Sequence, residues 1–326
     1  MSNLDLRPAE TACGGTSSGS DQPELLAPRE VPLGGPRAMT VRRTLPHRDR
    51  RMVGAWCFVD HYGPTDLAGA SGMDVPPHPH TGLQTVSWLL EGEVLHRDSL
   101  GSTQMVAPGQ LNLMTAGHGI SHSEETPAPG ERTTQSLFGV QLWVALPAAA
   151  RGVAPDFEHH ADLPVVEIGG ARVRVVMGSV GDATSTATTY TPLVGAEVAL
   201  AADAPATLTV DPSFEHAVLA MDAELQVDGR DVAFGELLYL PPGPGEITLR
   251  ADTAARVLLI GGQPFEEQIV MWWNFVGSSH DDVAAARAEW QAADVRFGEV
   301  TGYDGGRLEA PALPGARLRA RGRARE

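Results

Sequence analysis

Five of the chain's eleven histidines lie between positions 78 and 122. His78-Pro79-His80 is an H-x-H pair, and His122-Ser123-Glu124 is an H-x-E pair. On a strand, side chains at i and i+2 leave by the same face, so each pair can aim two ligands into one cavity. Two neighbouring strands would then present three imidazoles and one carboxylate. That donor set suits a borderline divalent transition metal: Fe, Mn, Ni, Co, Cu or Zn. Several of these metals would keep coordination positions open for water, O2 or a substrate oxygen. The competing reading is two unrelated surface pairs, since an H-x-H arises readily by chance. Against it stand the Gly and Pro turns beside both pairs, and an intervening stretch that divides naturally into two or three strands.

The elements needed to position these pairs are legible as short strands. From about Ala38, apolar runs alternate with turn signals: Val53–Val59, Thr85–Leu90, Val94–His96, Gln104–Val106, Leu111–Met114 and Leu137–Val144. Several have the period of two expected of half-buried strands. A Pro/Ala-rich stretch, Pro147 to Pro155, interrupts the pattern. A second series follows: Arg172–Met177, His216–Ala220, Glu224–Val227, Leu237–Leu240, Ile247–Leu249 and Arg256–Ile260. Val106-Ala-Pro-Gly-Gln-Leu111 matches Val232-Ala-Phe-Gly-Glu-Leu237, which suggests a duplicated all-β domain. One helix closes the fold. Ser279 caps it, Asp281 and Asp282 occupy its first turn, and Val283, Ala286, Arg287 and Trp290 recur at helical spacing.

The expected organisation is a disordered leader over residues 1–37, a metal-binding barrel over 38–155, a second barrel with its closing helix over 156–300, and a disordered Arg-rich tail over 301–326. The chain has 326 residues, enough for two domains that each bury a core. Gly (36) and Pro (25) are abundant, which suits many short strands better than long helices. The net charge is −17, which argues against non-specific nucleic-acid binding by the body of the protein. Every basic side chain is Arg, and six of them lie beyond Gly305, where a solvated end is favoured over a nucleic-acid arm. Two cysteines, Cys13 and Cys57, make a disulfide framework improbable. No signal-peptide pattern and no membrane-spanning run is visible. The expectation is a cytoplasmic monomer with no membrane partner.

The wider context of the histidines narrows these readings. Gly72 stands before His78 as in the first cupin motif, G-x5-H-x-H. The run from His78 to Glu124 closely resembles the pirin family of two-barrel cupins. Arg43-Thr44-Leu45-Pro46 and Val53–Pro64 resemble the start of the first pirin barrel, and Gln141–Pro147 resembles its end. Gly261–Pro264, Trp272–Val276 and the Trp290 helix resemble the pirin C-terminal region, so the likeness runs from about residue 38 to 293.

The resemblance implies an all-β bicupin: two tandem jelly-roll barrels with a short C-terminal helix. It implies one metal, usually iron, here Fe(II), held by His78, His80, His122 and Glu124. It also implies a metal-free second barrel. This sequence agrees, since its second half has no H-x-H and its strand region offers only His216, read as a core or loop histidine. Pirins are described both as quercetin 2,3-dioxygenases and as transcriptional co-regulators. The first reading is therefore a dioxygenase acting on a flavonol or other enolisable phenol with O2, with Glu124 as ligand and proton acceptor. The alternatives are a metal- or redox-sensing module with a protein partner, and a cupin with different small-molecule chemistry.

The chain departs from the family at Gln84, where many pirins carry Glu, and at His118, where Arg or a small residue is common. His96, Asp98 and Ser99 are read as structural turn residues. Trp88 and Trp143 are read as core or pocket wall, Leu83, Met105 and Met114 as core, and Asp60 and His61 as structural.

Overall fold

The computed structural model describes residues 22–33, 39–68 and 72–323. Its strands form two barrels of the same design, each a seven-stranded sheet packed on a four-stranded one, with antiparallel pairing throughout. In the first barrel the large sheet runs Asp156–His160, Leu111–Thr115, Leu83–Glu91, Ser136–Ala145, Trp56–Asp66, Met39–Leu45, Arg29–Leu33. Its small sheet runs Asp74–His80, Ile120–Glu125, Val94–Asp98, Thr103–Val106. The second barrel repeats this order, with Glu24–Leu26, Leu237–Leu240, Glu215–Ala220, Ala255–Gly262, Leu193–Leu200, Ala171–Met177 and Val165–Ile168 in the large sheet. The duplicated segments occupy equivalent places: each links the edge of a small sheet to a large-sheet strand.

The two large sheets pack back to back. Val140 and Leu142 from one meet Ala217, Leu219, Leu258 and Ile260 from the other in the largest apolar cluster. Val218, Ala220, Val257 and Leu259 point the opposite way, into the second barrel's own core. Strands buried on both faces are largely apolar, which is why Glu215–Ala220 and Ala255–Gly262 read as nearly continuous runs, whereas the first barrel's strands admit buried polar residues such as Gln141 on the face towards the site. Burying such side chains stabilises the fold by about 1.5–3 kcal/mol each. Leu83, Trp88, Met114 and Trp143 are buried as expected, whereas Met105 is only half-buried.

Two expectations about the ends are corrected. Residues 22–33 are not a disordered leader: Glu24–Leu26 pairs with Leu237–Leu240 of the second barrel, and Arg29–Leu33 pairs with Met39–Leu45 of the first. Residues 1–21 and 34–37 of that leader lie outside the described residues. The boundary at 155/156 also shifts, because Asp156–His160 pairs with Leu111–Thr115 and completes the first barrel. The second barrel is therefore closed by Glu24–Leu26, a strand that precedes the whole of the first barrel in sequence. Cross-domain pairing of this kind has no local periodicity to announce it.

Residues 301–323 likewise form an ordered segment. Trp290 Nε1 donates to Leu308 O, and Leu318 is buried beside the helix His280–Gln291. The tail arginines bind the chain itself. Arg307 lies over the Trp290 ring, Arg317 pairs with Asp281, and Arg323 donates to the buried carboxylate of Glu215. The helix has the expected Ser279 cap, with Asp282 completing a capping box. Among the described residues, no helix is long and apolar enough to cross a membrane.

Candidate metal centre

The strand Asp74–His80 carries Pro76, Pro77 and Pro79 and lies at the edge of its sheet, where missing N–H donors are tolerated. Gly72, just before it, has φ +80°, and a Cβ there would approach Thr126 Cβ to 2.7 Å, so the turn requires glycine. Ile120–Glu125 pairs alongside, with His122 directly opposite His78. His78, His80 and His122 are fully buried, and their ring centroids lie 4.4–5.0 Å apart. One nitrogen from each falls within 4.8 Å of the other two. Glu124, 2% exposed, joins a second, overlapping triad with His122 and His96 at the same spacing. The four expected residues are thus gathered inside one barrel, as two triads that share His122.

The hydrogen bonds determine which nitrogens remain available. His78 Nδ1 meets Pro76 O at 2.9 Å. A carbonyl can only accept, so Nδ1 carries the proton and Nε2 keeps its lone pair. His96 Nε2 meets Asp98 Oδ2 at 3.1 Å, and His96 Nδ1 meets His122 Nδ1 at 3.3 Å. The Asp98 carboxylate accepts from His96 Nε2–H. His96 Nδ1 is then the acceptor, His122 Nδ1 must donate to it, and His122 Nε2 is left with a lone pair. His78 Nε2, His122 Nε2 and both His80 nitrogens are buried without a hydrogen-bond partner. A buried unsatisfied polar atom costs about 1–3 kcal/mol, so three such imidazoles together call for a common partner.

Burial, the largest cause, lowers the His78 pKa to about 3 and holds those of His80 and His122 well below the ordinary range. All three imidazoles are therefore neutral, the form that binds a metal. Buried neutral imidazoles with free lone pairs beside a carboxylate are what a divalent transition metal requires, so the residues fit that group.

The surroundings hold these side chains in place. Ser87 Oγ lies 3.1 Å from Glu124 Oε1 and 3.0 Å from Gln141 Oε1, while Gln141 Nε2 has no partner, so the Gln141 amide is assigned turned over, with its nitrogen towards Ser87. A hydroxyl has one proton, so the network closes when Ser87 donates to Glu124 and accepts from the Gln141 amide nitrogen. The Trp143 ring meets His80 edge-on at 5.2 Å, and Phe157, from the edge strand Asp156–His160, stacks on His96 at 4.4 Å. The C-terminal segment straps the ligand strands from outside. Leu308 N donates to Pro77 O, Ser121 Oγ to Phe297 O, and Tyr303 Oη to Asp74.

His96 and Asp98 are the residues that sequence reasoning missed. They are read as turn formers, yet both are buried on the inner face of Val94–Asp98, and His96 sits opposite Glu124 in register. The available signal was the alternation Val94, His96, Asp98. Burial raises the Asp98 carboxyl, but its bonds to His96 and Ser102 prevail and hold it below the usual range. Asp98 also keeps its turn role, since Oδ1 accepts from Leu100 N and Ser102 N. Gln84 is directed elsewhere, donating to Thr115 Oγ1 and Thr188 O. The His118 side chain is exposed on its turn. Asp60 forms a buried ion pair with Arg43, and His61 Nδ1 accepts from Arg42.

Comparisons with known proteins agree with this geometry. Residues 38–144 match the Pirin family domain, and residues 195–298 match the Pirin C-terminal cupin domain. A Pseudomonas aeruginosa protein named "Putative quercetin 2,3-dioxygenase" is 46% identical over 88% of this chain and 89% of its own length. A Pirin-like protein of Caulobacter vibrioides is 36% identical over 80% of this chain and 91% of its own. The crystal structure of a quercetin 2,3-dioxygenase from Acinetobacter baumannii superposes with a TM-score of 0.86 at 44% identity, covering 91% of this chain and 97% of that one. Two barrels of one design, matched in order by both domains of one family and by relatives along nearly their whole length, make this chain a member of the pirin family.

Proposed function

We propose that the chain is a dioxygenase that opens flavonols such as quercetin with O2, at a single Fe(II) held by His78, His80, His122 and Glu124. The observation that carries this reading is the set of buried, neutral, partnerless imidazole nitrogens beside a carboxylate. The names borne by relatives at 44–46% identity support the substrate class. The metal, when bound, supplies Lewis-acid stabilisation of a substrate oxyanion and an electron route between substrate and O2.

The chain's own residues do the rest. Glu124 accepts the proton of the substrate hydroxyl, and the Ser87 hydrogen bond to Oε1 orients it for that transfer. His96 and Asp98 keep the His122 proton on Nδ1, away from the cluster. The site side chains are buried, Glu124 to 2% exposure, which suits chemistry shielded from bulk water better than display of a surface to a protein partner. The reading extends to a cytoplasmic setting, consistent with the free, buried thiol of Cys57.

Elemental analysis of the purified protein, followed by oxygen uptake with quercetin on the same sample, tests this. The expected result is about one metal per chain and flavonol-dependent O2 consumption. Metal without O2 uptake would refute the dioxygenase and turn the reading to a metal-sensing interaction module built on the same four residues.

A further inference from the structure

Residues paired directly across antiparallel strands share a face of the sheet. On the inner face of the first barrel's large sheet, one such row crosses six strands: His159, Asn112, Ser87, Gln141, Asp60 and Arg43. All six are polar, and all but His159 are buried. The second barrel repeats this sheet strand for strand, and the match of Leu111 with Leu237 fixes which positions correspond. Its equivalent row reads Leu25, Leu238, Val218, Leu259, Ala196 and Val175. All six are apolar, and the last five belong to that barrel's core.

The second barrel is an internal control for the first. Hydrocarbon fills these positions in one copy, so the fold alone does not call for polar groups in the other. Buried polar groups cost free energy unless each finds a partner. Both ends of the row close on themselves. Arg43 donates to the two oxygens of Asp60 at 2.7 and 2.8 Å, and His159 Nδ1 meets Asn112 Oδ1 at 2.7 Å. The middle pair does not close on itself. Ser87 meets Gln141 and also Glu124 Oε1, which comes from the opposite sheet and stands at the metal centre. Leucine, which the second barrel has at the place of Gln141, would leave no polar group to satisfy.

A serine hydroxyl has one proton and rotates to suit its neighbours. With the Gln141 amide nitrogen donating to Ser87 Oγ, the hydroxyl proton is sent to Glu124 Oε1. We infer that Gln141 is a positioning residue for the metal centre: acting through Ser87, it holds the Glu124 carboxylate in one orientation beside the histidine cluster. The inference rests on the dioxygenase reading for its effect on turnover, whereas its effect on the carboxylate needs only a bound metal.

Gln141→Leu installs the residue of the second barrel, and Ser87→Ala removes the intermediary. Gln141→Met, unbranched and without a donor, serves where leucine does not pack. Each variant of the full-length protein should keep about one Co(II) per chain. All should shift the visible absorption bands of the Co(II)-loaded protein in the same direction, because those bands follow ligand geometry. With quercetin, kcat should fall at least about tenfold while KM stays within about twofold. The double variant Gln141→Leu/Ser87→Ala should be no worse than Ser87→Ala alone, since a residue acting through another has nothing further to lose. A folded Gln141 variant with the wild-type Co(II) spectrum would overturn the proposal, as would a double variant in which the two losses multiply. If the wild type consumes no O2 with quercetin, the dioxygenase reading falls, and the Co(II) spectra still decide for or against Gln141.

Discussion

Replacing Asp98 by asparagine changes one atom beside a turn but reverses a chain of proton positions that ends at the metal centre. Asp98 Oδ1 accepts from Leu100 N at 2.9 Å and Ser102 N at 3.0 Å. In the Asp98→Asn variant those two donors hold the amide oxygen in the same place, so the amide NH2 must face His96 Nε2. That nitrogen becomes an acceptor, His96 carries its proton on Nδ1, and it then faces the protonated Nδ1 of His122 across 3.3 Å. The conflict is relieved when His122 moves its proton to Nε2, which removes the lone pair the metal needs, or when the rings separate. Loss of such a supporting partner typically weakens metal binding about 10–100-fold, equivalent to about 1.4–2.7 kcal/mol. Stability should change much less, because both backbone bonds to Oδ1 survive. Competition for Zn(II) or Co(II) between the metal-free protein and a chelator reads the affinity, and thermal unfolding checks the fold. A folded Asp98→Asn protein that binds metal within about twofold of the wild type would refute the reasoning, since the proton chain would then play no part in affinity.

Four other outcomes are expected. His78→Ala should abolish stoichiometric metal, measured by elemental analysis, and full retention would remove His78 from the site. Glu124→Gln should reduce oxygen uptake with quercetin more than it reduces metal content, whereas equal losses would make Glu124 a ligand alone. Glu215→Ala strips the partner from Gly54 N, Tyr239 Oη and Arg323, and should cost about 3 kcal/mol in urea unfolding; a loss below about 1 kcal/mol would mean the tail is not anchored there. Acid should destabilise the fold through its buried histidines. The His216 pKa falls, through burial, from 6.5 to about 4, so the unfolded chain takes up a proton before the folded one does. Its contribution is complete above pH 6.5, is lost as pH falls towards about 4, and amounts to about 3 kcal/mol across that window. Urea midpoints that stay constant from pH 7.5 to 4.5 would contradict this.

The candidate centre was largely legible because H-x-H and H-x-E spacings convert directly into shared strand faces. The barrel strands were legible as apolar runs between Gly and Pro turns, and the capped helix from Ser279, its acidic first turn and its helical spacing. The tail was misjudged because its arginines suggest a solvated end. Their partners, Trp290, Asp281 and Glu215, are distant in sequence and become visible only once the chain has folded back. His96 and Asp98 were misassigned for a related reason. An H-x-D-S-x-G run suits a turn, and Asp98 does cap one, so nothing local separates that role from the inward hydrogen bond made by its second oxygen.

By itself, the sequence determined which residues could bind a metal and that they would lie on strands, through the period-two geometry of an extended chain, while the duplicated barrel came from the match of Val106–Leu111 with Val232–Leu237 and from the pirin resemblance. Tertiary structure alone decided the pairing of Glu24–Leu26 with the second barrel, the protonation chain from Asp98 through His96 to His122, and the docking of the C-terminal segment on the Trp290 helix and Glu215. Each of these depends on contacts between residues far apart in the chain, and local spacing carries no information about which distant groups will meet.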